Sequence, residues 1–201
     1  MCGGKDRMKD ESYIVIICGK KDEGKTTFIK CLIDRLKPAG ISMCGLYSPG
    51  IYEENQKIGI AVTDLTTNRH MQLAKHEPGW DPKMPAREWR FNEDAIAWGD
   101  QVLFHCINQT SDVLIIDEIG YLELEKEGGW KSVFPVVEQG NYLKVYLVVR
   151  DGLLGQALKI WSNAQIVAIN QIDSIDRWLS NEIKTIMELK GTRTSQFQKP
   201  R

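Results

Sequence analysis

The chain of 201 residues has five cysteines but no CxxC pair, three histidines, and no apolar run long enough to cross a bilayer. Each absence excludes something. Without paired cysteines, and with His70, His76 and His105 unpatterned, a metal site of the zinc type is not expected. A formal net charge of −1 gives no basic excess and so no strong nucleic-acid signal. No membrane role is expected. The opening "MCGGKDRMKDES" has no apolar stretch, which excludes a secretory signal of the usual kind. An odd, unpatterned set of cysteines suits a reducing compartment, and the expected location is the cytoplasm. There is no internal repeat and no low-complexity tract. What is present, 42% hydrophobic and 26% charged residues, suits one soluble domain with a sizeable core.

The most informative stretch is "GKKDEGKTT", Gly19 to Thr27. Gly, four residues and Gly-Lys-Thr form a Walker A pattern. Gly24 lets the backbone approach phosphate oxygens, and successive N–H groups form an anion nest. Lys25 supplies a mobile charge for the β- and γ-phosphates, and Thr26 a hydroxyl for Mg²⁺. Gly19, Lys20, Lys21, Asp22, Glu23, Gly24, Lys25, Thr26 and Thr27 are therefore the candidate nucleotide-binding residues. The context agrees. Tyr13 to Cys18 is continuously apolar, as a doubly covered strand should be. Phe28, Leu32, Ile33 and Leu36 then recur at helical spacing until Pro38 and Gly40. That helix aims the positive end of its dipole at the loop.

Along the rest of the chain, "ISMCGLYSPGIY" and "KIGIAVTDL" are predicted as two strands of an added β-hairpin, turning at "EENQ". "HEPGWDPKMPAREWRF" contains Pro78, Pro82 and Pro85 and is predicted as a long loop. A helix is expected from about Glu93 to Asn108, capped by Asn92. "DVLIIDEIG", "LKVYLVVR" and "AQIVAIN" are strands, separated by helices at "GWKSVFPVVEQG", with an interruption at Pro135, and "GLLGQALKIW". A final helix places Ile172, Ile175, Leu179, Ile183 and Ile186 on one face. Residues 1–11 and 191–201 are expected to be flexible ends around a single domain, 12–190. The alternation predicts an α/β fold, a mostly parallel sheet with helices on both faces. Ligands of such sheets bind at the carboxyl ends of the strands, which collects the loop, "DEIG", Arg150 and Asn170 on one rim.

"VLIIDE" supplies the second half of the site. Four apolar residues followed by Asp117 match a Walker B strand, whose Asp helps to hold Mg²⁺. Glu118 beside it is the candidate for orienting or deprotonating a water. Lys25 and Glu118 are thus the catalytic candidates, Thr26 and Asp117 the metal candidates, with Mg²⁺ the cofactor and ATP or GTP the substrate.

With these residues in view, "GKKDEGKTT", "GLYSPGIYEENQKIGIAVTDL" and "DEIGYLELEKEGGW", in that order, resemble the thermophilic-type, or cancer-related, nucleoside-triphosphatase family. The resemblance covers roughly Tyr13 to Asn170. It implies a phosphate-binding-loop NTPase fold of the RecA/nucleotide-kinase-like class and Mg²⁺-dependent hydrolysis with loose base selectivity. It also implies a structural or catalytic role for Glu123. Three features depart from the family pattern: Tyr121 where lysine is frequent, "NQID" in place of an "NRD"-like signal, and an elaborated loop from Trp80 to Arg90.

Other residues carry weaker signals. Arg69, Arg87, Arg90 and Arg150 are candidates for neutralising charge on transferred phosphate. Trp80 and Trp89 are placed either to stack on a base or to cover the core. Asn170 and Asp173 either read a base or, with Ser174, cap the last helix. The leading function is a nucleoside-triphosphatase. A nucleotide or small-molecule kinase and a nucleotide-binding switch are the alternatives. A helicase or clamp loader is disfavoured by the lack of a second domain and of a basic stripe.

Overall fold

Along the first strand the apolar side chains divide between two clusters. Ile14, Ile16 and Cys18 enter one, Val15 and Ile17 the other. A strand buried on both faces must lie inside a sheet with cover above and below. The computed structural model describes residues 13–80, 88–125 and 128–197. Pro82, Pro85, Arg87, Cys2 and the expected flexible N-terminus lie outside them.

The elements in chain order are β1 (Ile14–Gly19), α1 (Lys25–Leu36), β2 (Met43–Tyr47), β3 (Gly50–Glu53), β4 (Gln56–Asp64), β5 (His70–His76), β6 (Trp89–Phe91), α2 (Glu93–Cys106), β7 (Val113–Ile119), α3 (Tyr121–Glu125), α4 (Val133–Gln139), β8 (Lys144–Arg150), α5 (Leu154–Ile160), β9 (Gln165–Ala168) and α6 (Ile175–Phe197). The strands form one sheet in the order β6-β5-β4-β2-β7-β8-β1-β9, with β3 paired to β4. The neighbours from β2 through β9 are parallel. Beyond β2 the sheet continues antiparallel. α1 and α6 cover one face through residues such as Phe28, Leu32, Leu179 and Ile186. α2, α4 and α5 cover the other with Ala95, Leu103, Val136 and Ala157.

Several expectations change. "ISMCGLYSPGIY" is two strands, not one. The second, β3, forms the antiparallel ribbon with β4, turning at Glu54 and Asn55, both at positive φ, while the end of the first pairs antiparallel with the last residues of β4. The first, β2, joins the parallel core beside β7. β5 was not expected, because a register shift puts Leu73 and Ala74 both inside and spoils the period of two. β6, three residues on the edge of the sheet, lies inside the stretch read as a loop. Pro135 does not interrupt α4: it is the third helical residue, where no helical N–H bond is lost. Asn92 caps α2, accepting from Asp94 N and Ala95 N. Ile175 opens α6 and stays 40% exposed, while Leu179 and Ile186 are buried as the periodicity requires. α6 runs on to Phe197, past Gly191, where the tail was expected to begin.

The parallel core is tightest where β2 meets β7. Gly45 has φ 110°, and a Cβ there would lie 2.0 Å from the Ile115 carbonyl oxygen. Strand and neighbour share backbone hydrogen bonds, so neither can step aside. Gly45→Ala should destabilise the fold by more than about 4 kcal/mol, well outside the ordinary range for one methyl. Urea unfolding checks it; a loss below about 1 kcal/mol would show that the strand relaxes.

Candidate active site

The loop leaves β1 at Gly19 and closes onto α1 through two left-handed residues, Asp22 (φ 63°) and Gly24 (φ 91°). Gly24 is the residue before the helix, and no side chain caps the first turn. The N–H groups of that turn are thus left without a side-chain partner. Glu23 folds back, its Oε2 accepting from Lys20 N at 2.6 Å. Lys25 Nζ donates to the carbonyls of Gly19 (2.7 Å) and Lys20 (2.5 Å). Partial burial holds the Lys25 ammonium below its usual pKa, and Arg150 adds to that shift, while Glu118, Asp151 and Glu23 oppose it. Lys21 is not directed at the loop's interior: its ammonium lies 3.8 Å from Glu88, and both side chains are exposed. Lys20 and Thr27 are exposed as well.

The carboxylates arrive from β7. Val113 and Ile115 face the α1 side, Leu114 and Ile116 the α2 side. Asp117 continues the first series and meets the first turn of α1. Thr26 Oγ1 donates to Asp117 Oδ1 at 3.4 Å, and Ser48 N donates to Oδ2 at 3.1 Å. Then the strand breaks step. Asp117 and Glu118 together oppose one residue of β8, because the register moves from Ile116↔Leu147 to Ile119↔Val149. Ile119 resumes the α2-side cluster, and Glu118, at φ 83°, is turned out to the rim. There it accepts from Arg150.

Asp117 is fully buried, and burial pushes its carboxyl up to about 7; the charge of Glu118 adds to this, while Ser48 N–H and the Thr26 hydroxyl oppose it. A buried carboxylate with only two hydrogen bonds, one of them long at 3.4 Å, is a position that a cation satisfies. Ser48 Oγ, also buried, has no hydrogen-bond partner among the described residues. Thr26 hydroxyl, Asp117 carboxylate and this serine are hard oxygen donors, the set that Mg²⁺ takes together with water and phosphate. The residues present therefore fit that ion. Ser48 was missed in the sequence; its only signal was its place directly after the strand that pairs with β7.

Lys25, Thr26, Asp117, Glu118 and Arg150 thus come together. Several other candidates among the described residues lie elsewhere. Arg69 sits on the turn from β4 to β5 and bonds through its backbone to Asp64, toward the opposite end of the parallel strands. Arg90 pairs with Glu77 at 3.6 Å. Trp89 packs on the core beside His76, with Lys57 over its ring. Asp173 pairs with Arg177, and Ser174 Oγ accepts from Arg177 N, so both serve the start of α6. His105 is exposed on α2, bonded to the Gln101 carbonyl rather than packed inside. Glu123 is a clamp: its two oxygens accept from Gly120 N and Trp130 N at 2.9 and 3.1 Å, fixing the turn after β7. No group of three or more His, Cys, Asp or Glu side chains suited to a metal occurs among the described residues.

Comparison with known proteins identifies the family. The model of the NTPase family matches residues 14–183. The chain is 35% identical over 112 residues to nucleoside-triphosphatase THEP1 of Saccharolobus solfataricus, covering 55% of this chain and 62% of that protein. It is 25% identical to the protein of the same name from Caldivirga maquilingensis, covering 87% of this chain and 97% of that one. With the Korarchaeum cryptofilum counterpart it shares 27% identity, covering 96% and 97%. A solution structure of a human cancer-related nucleoside triphosphatase superposes with a TM-score of 0.67 at 17% identity, over 88% of this chain and 98% of that one, a likeness of fold. With one family model spanning the whole of the described sheet and two relatives aligned over most of both chains, the chain belongs to the NTPase family.

Proposed function

We propose that the chain is an Mg²⁺-dependent nucleoside-triphosphatase that cleaves ATP, GTP and related triphosphates to the diphosphate and phosphate. The observation that carries this reading is the junction of Thr26 with the buried Asp117, with Glu118 turned to the rim one residue further on. It joins a phosphate-binding loop to a rim-facing carboxylate that can address water. The phosphate-binding residues are the backbone of Gly19 to Thr27 and the Lys25 ammonium. Lys25 exchanges its bonds to the Gly19 and Lys20 carbonyls for phosphate oxygens. Thr26 and Asp117, with Ser48 beside them, would hold Mg²⁺, which when bound neutralises charge on the β- and γ-phosphates. Glu118 accepts a proton from, or orients, the water that attacks the γ-phosphate. Among the described residues no helix is long and apolar enough to cross a membrane, and the described cysteines are free thiols, in keeping with a cytoplasmic enzyme.

Phosphate release from ATP, GTP, CTP and UTP, with Mg²⁺ or with EDTA, tests this reading. Release should need no second substrate, occur with several bases, and stop in EDTA and in Lys25→Ala. Triphosphate binding without release in the wild type would sink hydrolysis. Consumption of ATP only when an acceptor is present would make the chain a kinase.

A further inference from the structure

The strand order puts β8 between β1, which carries the phosphate loop, and β7, which carries the carboxylates. The last residue of β8 is Arg150. It is the register partner of Gly19, the first residue of the loop. Its neighbour Val149 is the partner of Ile119, the first residue after the bulge. Arg150 thus stands between the two halves of the site, and its guanidinium donates through Nη2 to Glu118 Oε1. Glu118 holds φ 83°, which a residue with a Cβ adopts only when its surroundings enforce it.

We propose that Arg150 is a positioning residue for hydrolysis. Its guanidinium holds the Glu118 carboxylate in the bulged, rim-facing conformation in which it can address a water. The proposal rests on the hydrolase reading. The pair is half-exposed, with side-chain exposures of 51% and 33%. Exposed pairs contribute little to global stability. Loss of Arg150 should accordingly spare the fold and move the orientation of one carboxylate. Displacement of a catalytic group by about an ångström costs on the order of a hundredfold in rate.

The test sets Arg150→Gln and Arg150→Lys in the wild-type and Glu118→Gln backgrounds. In the wild-type background Arg150→Gln should lower kcat by about 10- to 100-fold, with KM and the affinity for a non-hydrolysable triphosphate within about threefold. Arg150→Lys should restore most of the loss. In the Glu118→Gln background Arg150→Gln should cost no more than about twofold, because the side chain that Arg150 positions can no longer take a proton from water. An equal fractional loss in both backgrounds, or a loss carried by KM, would mean that Arg150 grips phosphate directly and would overturn the proposal. A second readout does not need turnover: amide exchange at Glu118 and Ile119 should quicken in Arg150→Gln and stay unchanged in Arg150→Lys. Unchanged exchange in Arg150→Gln overturns positioning even if the wild type hydrolyses. An inert wild type counts against the hydrolase reading alone, and the exchange result still decides the role of Arg150.

Discussion

Glu118→Gln should reduce Mg²⁺-dependent phosphate release by about a thousandfold while leaving triphosphate affinity within about threefold of wild type. Glutamine matches the size of glutamate and can still accept from Arg150, so the bulge has no new steric reason to relax. What disappears is the ability to take a proton from water. The ground-state contacts to phosphate come from the loop and Lys25, which the substitution does not touch, and the loss should therefore fall on kcat. Steady-state phosphate release and equilibrium binding of a non-hydrolysable analogue separate the two. If the variant keeps more than about a tenth of the wild-type rate, another group activates the water, since general-base contributions are larger than that.

Asp117→Asn should stabilise the metal-free protein at pH 8 and remove Mg²⁺-dependent turnover. The direction follows from burial, which raises the folded-state pKa of this carboxyl to about 7. A raised carboxyl pKa means that the folded state prefers the neutral form. Below pH ~4 the group is protonated whether folded or not, and its ionisation costs nothing. Between pH ~4 and ~7 the unfolded chain ionises while the folded one does not, so wild-type stability falls relative to the variant. Above pH ~7 the difference is fully developed. About 1.4 kcal/mol per pKa unit sets an upper bound of about 4 kcal/mol. A rise in Tm of about 5 °C in EDTA at pH 8, shrinking toward pH 4, is the expected result. Mg²⁺ with triphosphate should stabilise the wild type more than the variant. Phosphate release should fall at least about a hundredfold, the share a metal ion gives to charge stabilisation. An equal Tm for both proteins in EDTA at pH 8 would show that Asp117 is compensated without a cation.

Much of this is written in local sequence. β1, β7 and β8 are continuous apolar runs because helices cover both faces, and their ends place the loop, Asp117 and Arg150 on one rim. The loop could be read because its chemistry is contiguous. What could not be read is non-local. The turn of Glu118 depends on a register shift against β8, and no residue type marks it in "LIIDEIG". Ser48 meets Asp117 only because β2 pairs with β7 across 69 residues of chain. β5 hid because its own shift places two neighbours inside. For Glu123 the resemblance left a structural and a catalytic role open, and the choice depends on two backbone amides, of Gly120 and Trp130, that its oxygens accept from.

The covering of the α1 side of the sheet has a consequence for biosynthesis. Among the described residues, all nine strands precede α6 in the chain. Phe28 packs on Trp178 of α6, the buried Tyr146 hydroxyl of β8 donates to Glu182 of α6, and Lys190 reaches back to Asp112. As the chain emerges from the ribosome, the sheet, the phosphate loop and the bulge can all assemble while that face is still partly bare. Glu182 must arrive before the Tyr146 hydroxyl has its partner, and until then the apolar face is the part of the nascent protein that chaperones would bind.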